Sequence, residues 1–144
     1  MNDLRFDGQV ALVTGAGRGL GRAHARLLAA RGCTVVINDL GSAFDGTGAA
    51  TGRVADEVVA RIQAEGGKAT ANYDSVENGQ AIIDDVMATH GRLDIVINNA
   101  GILTPEVWSE LTLESWQRTL NVNLTGVFSV MKAAWPVFVA QQYG

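Results

Sequence analysis

Residues 13–23 read VTGAGRGLGRA, with four glycines in the seven positions 15–21. Each glycine gives up side-chain contacts, so the segment suits a partner that must touch bare backbone. The run before it, QVALVTG, is apolar and β-branched and predicts a buried strand. The run after it, GLGRAHARLLAARG, predicts a helix stopped by Gly32. A helix N-terminus carries unpaired N–H groups and partial positive charge. A diphosphate satisfies both, provided that no Cβ blocks its approach. On this reading Gly15 permits the turn, Gly19 permits close approach and Gly21 lets the helix pack on the sheet. Thr14, Gly17, Arg18 and Leu20 complete the loop around the ligand. The spacing is G-x-x-x-G-x-G, not the commoner G-x-G-x-x-G; the alternative is a tight strand-to-helix turn without a ligand.

Asp39 ends the next apolar run, TVVINDL, with Leu40 beside it. A carboxylate there can accept hydrogen bonds from both ribose hydroxyls of an adenosine. It also repels a 2′-phosphate, by at most about 4 kcal/mol per unit charge at about 4 Å and an effective dielectric near 20. Arg18 pulls the other way, but it can swing into water whereas Asp39 sits where the ribose must lie. The expected cofactor is NAD rather than NADP. Asp39 as an ordinary strand-end turn residue is the alternative.

These residues need a scaffold, and the remaining segments supply one. Residues 41–52 are glycine-rich and read as a loop, 53–67 as a helix, 68–74 as a third strand. Residues 75–91 read as a helix capped by Ser75 and ended by Gly91, and LDIVINNAG as a fourth strand. A long helix is expected from Thr112 to about Gln142, with Leu120, Leu124, Val127, Phe128 and Met131 on its buried side. Strands alternating with helices imply an α/β Rossmann-type doubly wound parallel sheet. Right-handed crossovers give the order 3-2-1-4, with strands one and four meeting at the switch point.

Bulk properties narrow the partners. The 144 residues are 47% hydrophobic and 18% charged, which suits one domain with a real core. With net charge −4, nine Arg and two Lys scattered along the chain, no nucleic-acid partner is expected. The single cysteine, Cys33, excludes an internal disulfide and points to a reducing compartment and a small core residue. MNDLRFDGQV does not read as a leader, and VFSVMKAAWPVFVA is short and carries a lysine, so no membrane span is expected and the cytoplasm is. His24 and His90 lie on separate helices, so no metal site is expected; His90 reads as a helix C-terminal residue. Trp108, Trp116 and Trp135 read as core or interface residues, and Pro136 as a kink in the last helix.

Three segments, TGAGRGLG (14–21), NNAG (98–101) and NVNLTG (121–126), occur in this order. Together they resemble the short-chain dehydrogenase/reductase family, and the likeness covers nearly the whole chain. A closer likeness, through VVINDLGSAFDGTG and GGKATANYDSVENG, is to the (3R)-hydroxyacyl-CoA dehydrogenase branch of that family. The resemblance implies that Asp74, Ser75 and Val76 border an adenine, and that Asn98, Asn99, Ala100 and Gly101 line the nucleotide side of strand four. It gives Asn123 the part of the catalytic asparagine, which holds a water in a proton relay. Read from the residues alone, a helical Asn123 more commonly makes a local hydrogen bond, Asn121 is structural, and NNAG is a strand end and a turn.

The family's chemistry also needs a serine and Tyr-x-x-x-Lys, in which the lysine lowers the tyrosine pKa. Tyr73 is followed at that distance by Glu77, and Tyr143 by nothing beyond Gly144. The expectation is therefore an N-terminal part of a single NAD-binding domain, inactive alone, with the catalytic C-terminal part outside this sequence. The complete protein is expected to act on a small-molecule secondary alcohol or ketone and to form a homo-oligomer, a dimer or tetramer. The alternative is a nucleotide-binding module or truncated product without catalysis.

Overall fold

The structure, a computed structural model, describes residues 4–43, 45–48 and 53–144. Among the described residues the strands are β1 (Val10–Thr14), β2 (Thr34–Asn38), β3 (Lys68–Asn72) and β4 (Ile95–Ile97), mainly apolar except for β3. All pair in parallel, in the order β3-β2-β1-β4, so the expected topology is the one observed. The helices are α1 (Gly19–Ala30), α2 (Arg53–Ala64), α3 (Gly79–His90), α4 (Leu113–Leu120) and α5 (Gly126–Gln141).

Side chains alternate along each strand, and this divides the core in two. Ala11, Val13, Val35 and Ile37 face Ala25, Leu28, Val58 and Ile62 of α1 and α2. Val10, Leu12 and Val36 face Ile82, Ile83 and Val86 of α3 and Val130, Ala133 and Ala134 of α5. β1 and β2 are therefore buried on both faces, which is why their sequences are apolar without interruption. Ser75 accepts a hydrogen bond from the Glu77 N–H at 3.2 Å, starting a 3₁₀ turn (Val76–Asn78) that leads into α3. Gly91, left-handed at φ 71°, ends α3. Only residues 41–43 and 45–48 of the glycine-rich loop are among those described.

The last helix differs from expectation. It is one run interrupted by a π turn (Asn121–Thr125), and Pro136 lies inside α5, whose helical run continues past it. The expected buried side is wrong: Leu124, Val127 and Phe128 are exposed, and Leu120 and Met131 only half-buried. Gly126, Val130, Ala133 and Ala134 are buried instead. A Cβ on Gly79 of α3 would collide with the backbone of Ser129, so the two helices pack at glycine distance. Such an approach selects the small-residue face of α5, while apolar residues all round the helix give periodicity no face to choose. The run Leu113–Gln141 is long enough, and an 18-residue window in it apolar enough (mean hydropathy 1.3), to cross a membrane by length and composition only, a reading that the shorter stretch did not suggest.

Other assignments also change. Trp108, Trp116 and Trp135 are exposed and not in the core. His90 closes α3 as expected, and its Nε2 also lies 3.0 Å from Thr70 Oγ1 of β3. Cys33 is buried as expected, and its thiol is pushed up to about 11, by burial first and by Asp94 second.

Candidate functional site

The C-terminal ends of β1, β2 and β4 open on a cleft of about 470 Å³, at the switch point of the sheet. Its floor is the glycine turn between β1 and α1. Gly15 has φ +62°, and a Cβ there would lie 2.8 Å from Ala100 Cα. A Cβ on Gly21 would collide with the Gly15 carbonyl and with Asn99 Nδ2, so α1 seats on the turn only through glycine. Gly19 is different: φ is +51° and nothing stands within 4 Å of where its Cβ would be. Open space beside the first turn of α1 is where an anion can approach the unpaired N–H groups.

Thr14 is buried and holds β1 to β4: its Oγ1 accepts the N–H groups of Asn99 and Ala100, both at 3.0 Å. Asn99 donates its amide to the carbonyls of Thr14 (3.0 Å) and Gly15 (3.1 Å). Both residues therefore shape the turn. Asn98 follows β4 and is half-buried, and Leu20 is exposed on α1. Ala100 and Gly101 line the cleft with Gly15, Arg18 and Gly19.

Asp39 is clamped at the cleft wall. Its Oδ2 accepts the Gly17 N–H at 2.9 Å and its Oδ1 the Gly41 N–H at 2.8 Å. A Cβ on Gly17 would sit 2.7 Å from Asp39 Oδ2, so that glycine is required by the carboxylate. Arg18 points its Nη1 at the Ser42 carbonyl, 3.4 Å away, and is exposed. Leu40, Asp74, Ser75 and Val76 continue the wall beyond Asp39.

Asn123 lies outside this wall. Its Oδ1 accepts the Ile102 N–H at 2.8 Å and its Nδ2 donates to the Ile102 carbonyl at 2.9 Å. The asparagine makes hydrogen bonds, but to a separate segment and not locally as its residue type alone suggested. The π turn around it is a local unwinding of a kind often found at functional sites.

Arg118, Val122 and Asn38 are among the lining residues that sequence reasoning missed. Arg118 reaches the cleft from α4, its Nε buried without a hydrogen-bond partner among the described residues. Val122 lines it one turn later, and Asn38 lines it from the end of β2. A polar residue closing the apolar run VVIN was the available signal for Asn38; nothing marked Arg118 out among nine arginines.

Comparison with known proteins agrees with this geometry. Residues 9–144 match the family model described as short chain dehydrogenase. Over 141 residues, 98% of this chain, the sequence is 51% identical to the peroxisomal multifunctional enzyme type 2 of Mus musculus and covers 19% of that protein. The crystal structure of an NAD-bound short chain dehydrogenase from Mycobacterium paratuberculosis is similar with a TM-score of 0.86 and 29% identity, over 98% of this chain and 54% of that one. A metagenomic short-chain oxidoreductase in complex with NADP gives 0.84 and 30%, over 96% and 60%. The chain spans less than two thirds of each of these proteins. The glycine turn, the 3-2-1-4 sheet and these matches agree: the chain belongs to the short-chain dehydrogenases, a family of Rossmann-fold oxidoreductases.

Proposed function

We propose that this chain is the nucleotide-holding part of an NAD-dependent oxidoreductase acting on a secondary alcohol or ketone, with a 3-hydroxyacyl-CoA as the substrate class. The observation that carries the cofactor choice is the clamped carboxylate of Asp39. Both of its oxygens are fixed by backbone N–H groups, so it cannot turn away from a 2′-phosphate, while Arg18 is exposed and held only by one long hydrogen bond to the Ser42 carbonyl. The diphosphate fits the open space beside Gly19, with Gly15, Gly17 and Gly21 keeping side chains out of the turn. Asp74, Ser75 and Val76 border the adenine; Asn98, Ala100 and Gly101 face the nicotinamide half. Bound NAD supplies the hydride acceptor. Protein groups orient it, and Asn123, anchored to Ile102 by one hydrogen bond at each amide atom, keeps a second amide hydrogen and a second oxygen lone pair with which to hold a water. The acyl-CoA assignment rests on the likeness to the multifunctional enzymes.

The acid/base tyrosine is not among these residues. Tyr73 donates its hydroxyl to Asp56, which raises its pKa, the opposite of what proton transfer at neutral pH needs. Tyr143 accepts from Gln9. We propose that a further segment bearing Ser and Tyr-x-x-x-Lys packs beside β4, that the complete protein is a homo-oligomer and that it resides in the cytoplasm. The placement of both tyrosines favours a second reading, a binding module without catalysis. Calorimetric titration with NAD and NADP tests the cofactor, with NAD expected to bind at least about tenfold tighter. Reduction of NAD by the complete polypeptide on a 3-hydroxyacyl-CoA separates enzyme from module; binding without turnover selects the module.

A further inference from the structure

We propose that Asn72 sets the base selectivity of this cleft, as a positioning residue that aims the Asp74 carboxylate at the exocyclic amino group of an adenine, with Asp85 as its second anchor. This rests on the reading that the cleft holds an adenine dinucleotide.

Asn72 is buried at the end of β3, and its amide is saturated. Its Oδ1 accepts from Asn38 Nδ2 at 2.8 Å and from the Asp74 N–H at 3.1 Å. Its Nδ2 donates to Asp74 Oδ2 at 3.0 Å and to Asp85 Oδ2 at 2.8 Å. An asparagine amide has two donor hydrogens and two acceptor lone pairs, and all four are used. Asn38 closes the network by donating to the Asp74 carbonyl at 2.9 Å. Asp74 is therefore held at its N–H, its carbonyl and one carboxylate oxygen.

The division of labour is informative. The turn at Asp74 is already fixed through Asn72 Oδ1 and Asn38. The two amide hydrogens of Asn72 go to side-chain carboxylates instead of backbone, so they orient charge. They draw one oxygen of Asp74 back toward β3, and Asp74 Oδ1 has no hydrogen bond among the described residues. Asp85, exposed on α3, is the outer anchor that keeps the amide from flipping. A carboxylate held this way accepts a hydrogen bond from an amino group and repels a carbonyl. Adenine presents an amino group at that position of the ring, and hypoxanthine presents a carbonyl.

The test is calorimetric affinity of the complete polypeptide for NAD and for nicotinamide hypoxanthine dinucleotide. The unaltered protein is expected to prefer NAD. Asn72→Asp keeps the shape and the Oδ1 bonds but replaces the donor with a third carboxylate oxygen; the preference is expected to fall about tenfold, mainly through weaker NAD binding. Asp85→Ala, at an exposed position, is expected to lower it about threefold, and Asp85→Asn, which still accepts a hydrogen bond, to restore it. If Asn72→Asp does not fold, the Asp85 pair decides alone. Wild-type preference retained in Asn72→Asp, or in Asp85→Ala if only that variant folds, overturns the proposal, as does equal affinity of the unaltered protein for both dinucleotides. Failure of the unaltered protein to bind either one overturns the dinucleotide reading instead.

Discussion

The two flanks of β1 are closed to different degrees. On the side of β2 and β3, Val35, Val36 and Ile37 are sealed, with α1 and α2 over one face and α3 and α5 contributing to the other. On the side of β4, every strand residue keeps some exposure, and Leu124, Phe128, Trp135 and Val139 stand in water along the last helix run. The sealed flank holds the parts that the proposed function assigns to an adenosine diphosphate: a bare turn, a clamped acid and a braced Asp74. On the proposed reading, the open flank is where the reacting end of a nucleotide would meet its substrate, and its apolar surface would gain about 25 cal/mol for each Å² covered. If the proposed function holds, binding rests on the sealed flank, and chemistry requires protein that covers the open one.

The sealed flank breaks most severely at Gly21. Gly21→Val drives a side chain into the Gly15 carbonyl and Asn99. A loss of about 1–3 kcal/mol in urea unfolding is expected, with NAD binding reduced beyond detection in the same preparation. Next comes Asp39→Ala, which removes the acid clamped by Gly17 and Gly41 and should narrow the NAD-to-NADP affinity ratio about tenfold or more. An unchanged ratio would show that the clamp does not select the cofactor.

The open flank is tested by Phe128→Ser, which should alter the stability of the 144-residue chain by less than about 0.5 kcal/mol because the ring is exposed. In the complete polypeptide, if a further segment covers this face, the same change should cost about 3 kcal/mol. Equal effects in both would mean that nothing packs there.

Acid gives the smallest effects. Burial holds His90 below its ordinary 6.5, against the attraction of Asp85, so stability should decline as pH falls below 6.5. His90→Gln should flatten urea midpoints between about pH 7.5 and 5.5. Burial pushes the Asp94 carboxyl up, but the Arg92 guanidinium and the Val10 N–H outweigh it and hold it below the usual 3.8. Its contribution is present above 3.8 and lost as pH falls through the folded value, so Asp94→Asn should blunt unfolding in that range.

The sequence alone determined the strands, their order and the glycine turn, because local hydrophobic pattern and backbone freedom are properties of neighbouring residues. It also located Asp39, since a strand end has a fixed relation to the turn beside it. Tertiary structure alone decided the buried side of α5, where glycine-distance packing against α3 overrode an ambiguous pattern. It alone joined Asn38, Asn72, Asp74 and Asp85, which three separate elements and a strand-end turn bring within hydrogen-bonding distance. It alone tied Asn123 to Ile102. Hydrogen bonds across elements depend on where chains meet in space, and spacing along one chain does not encode that.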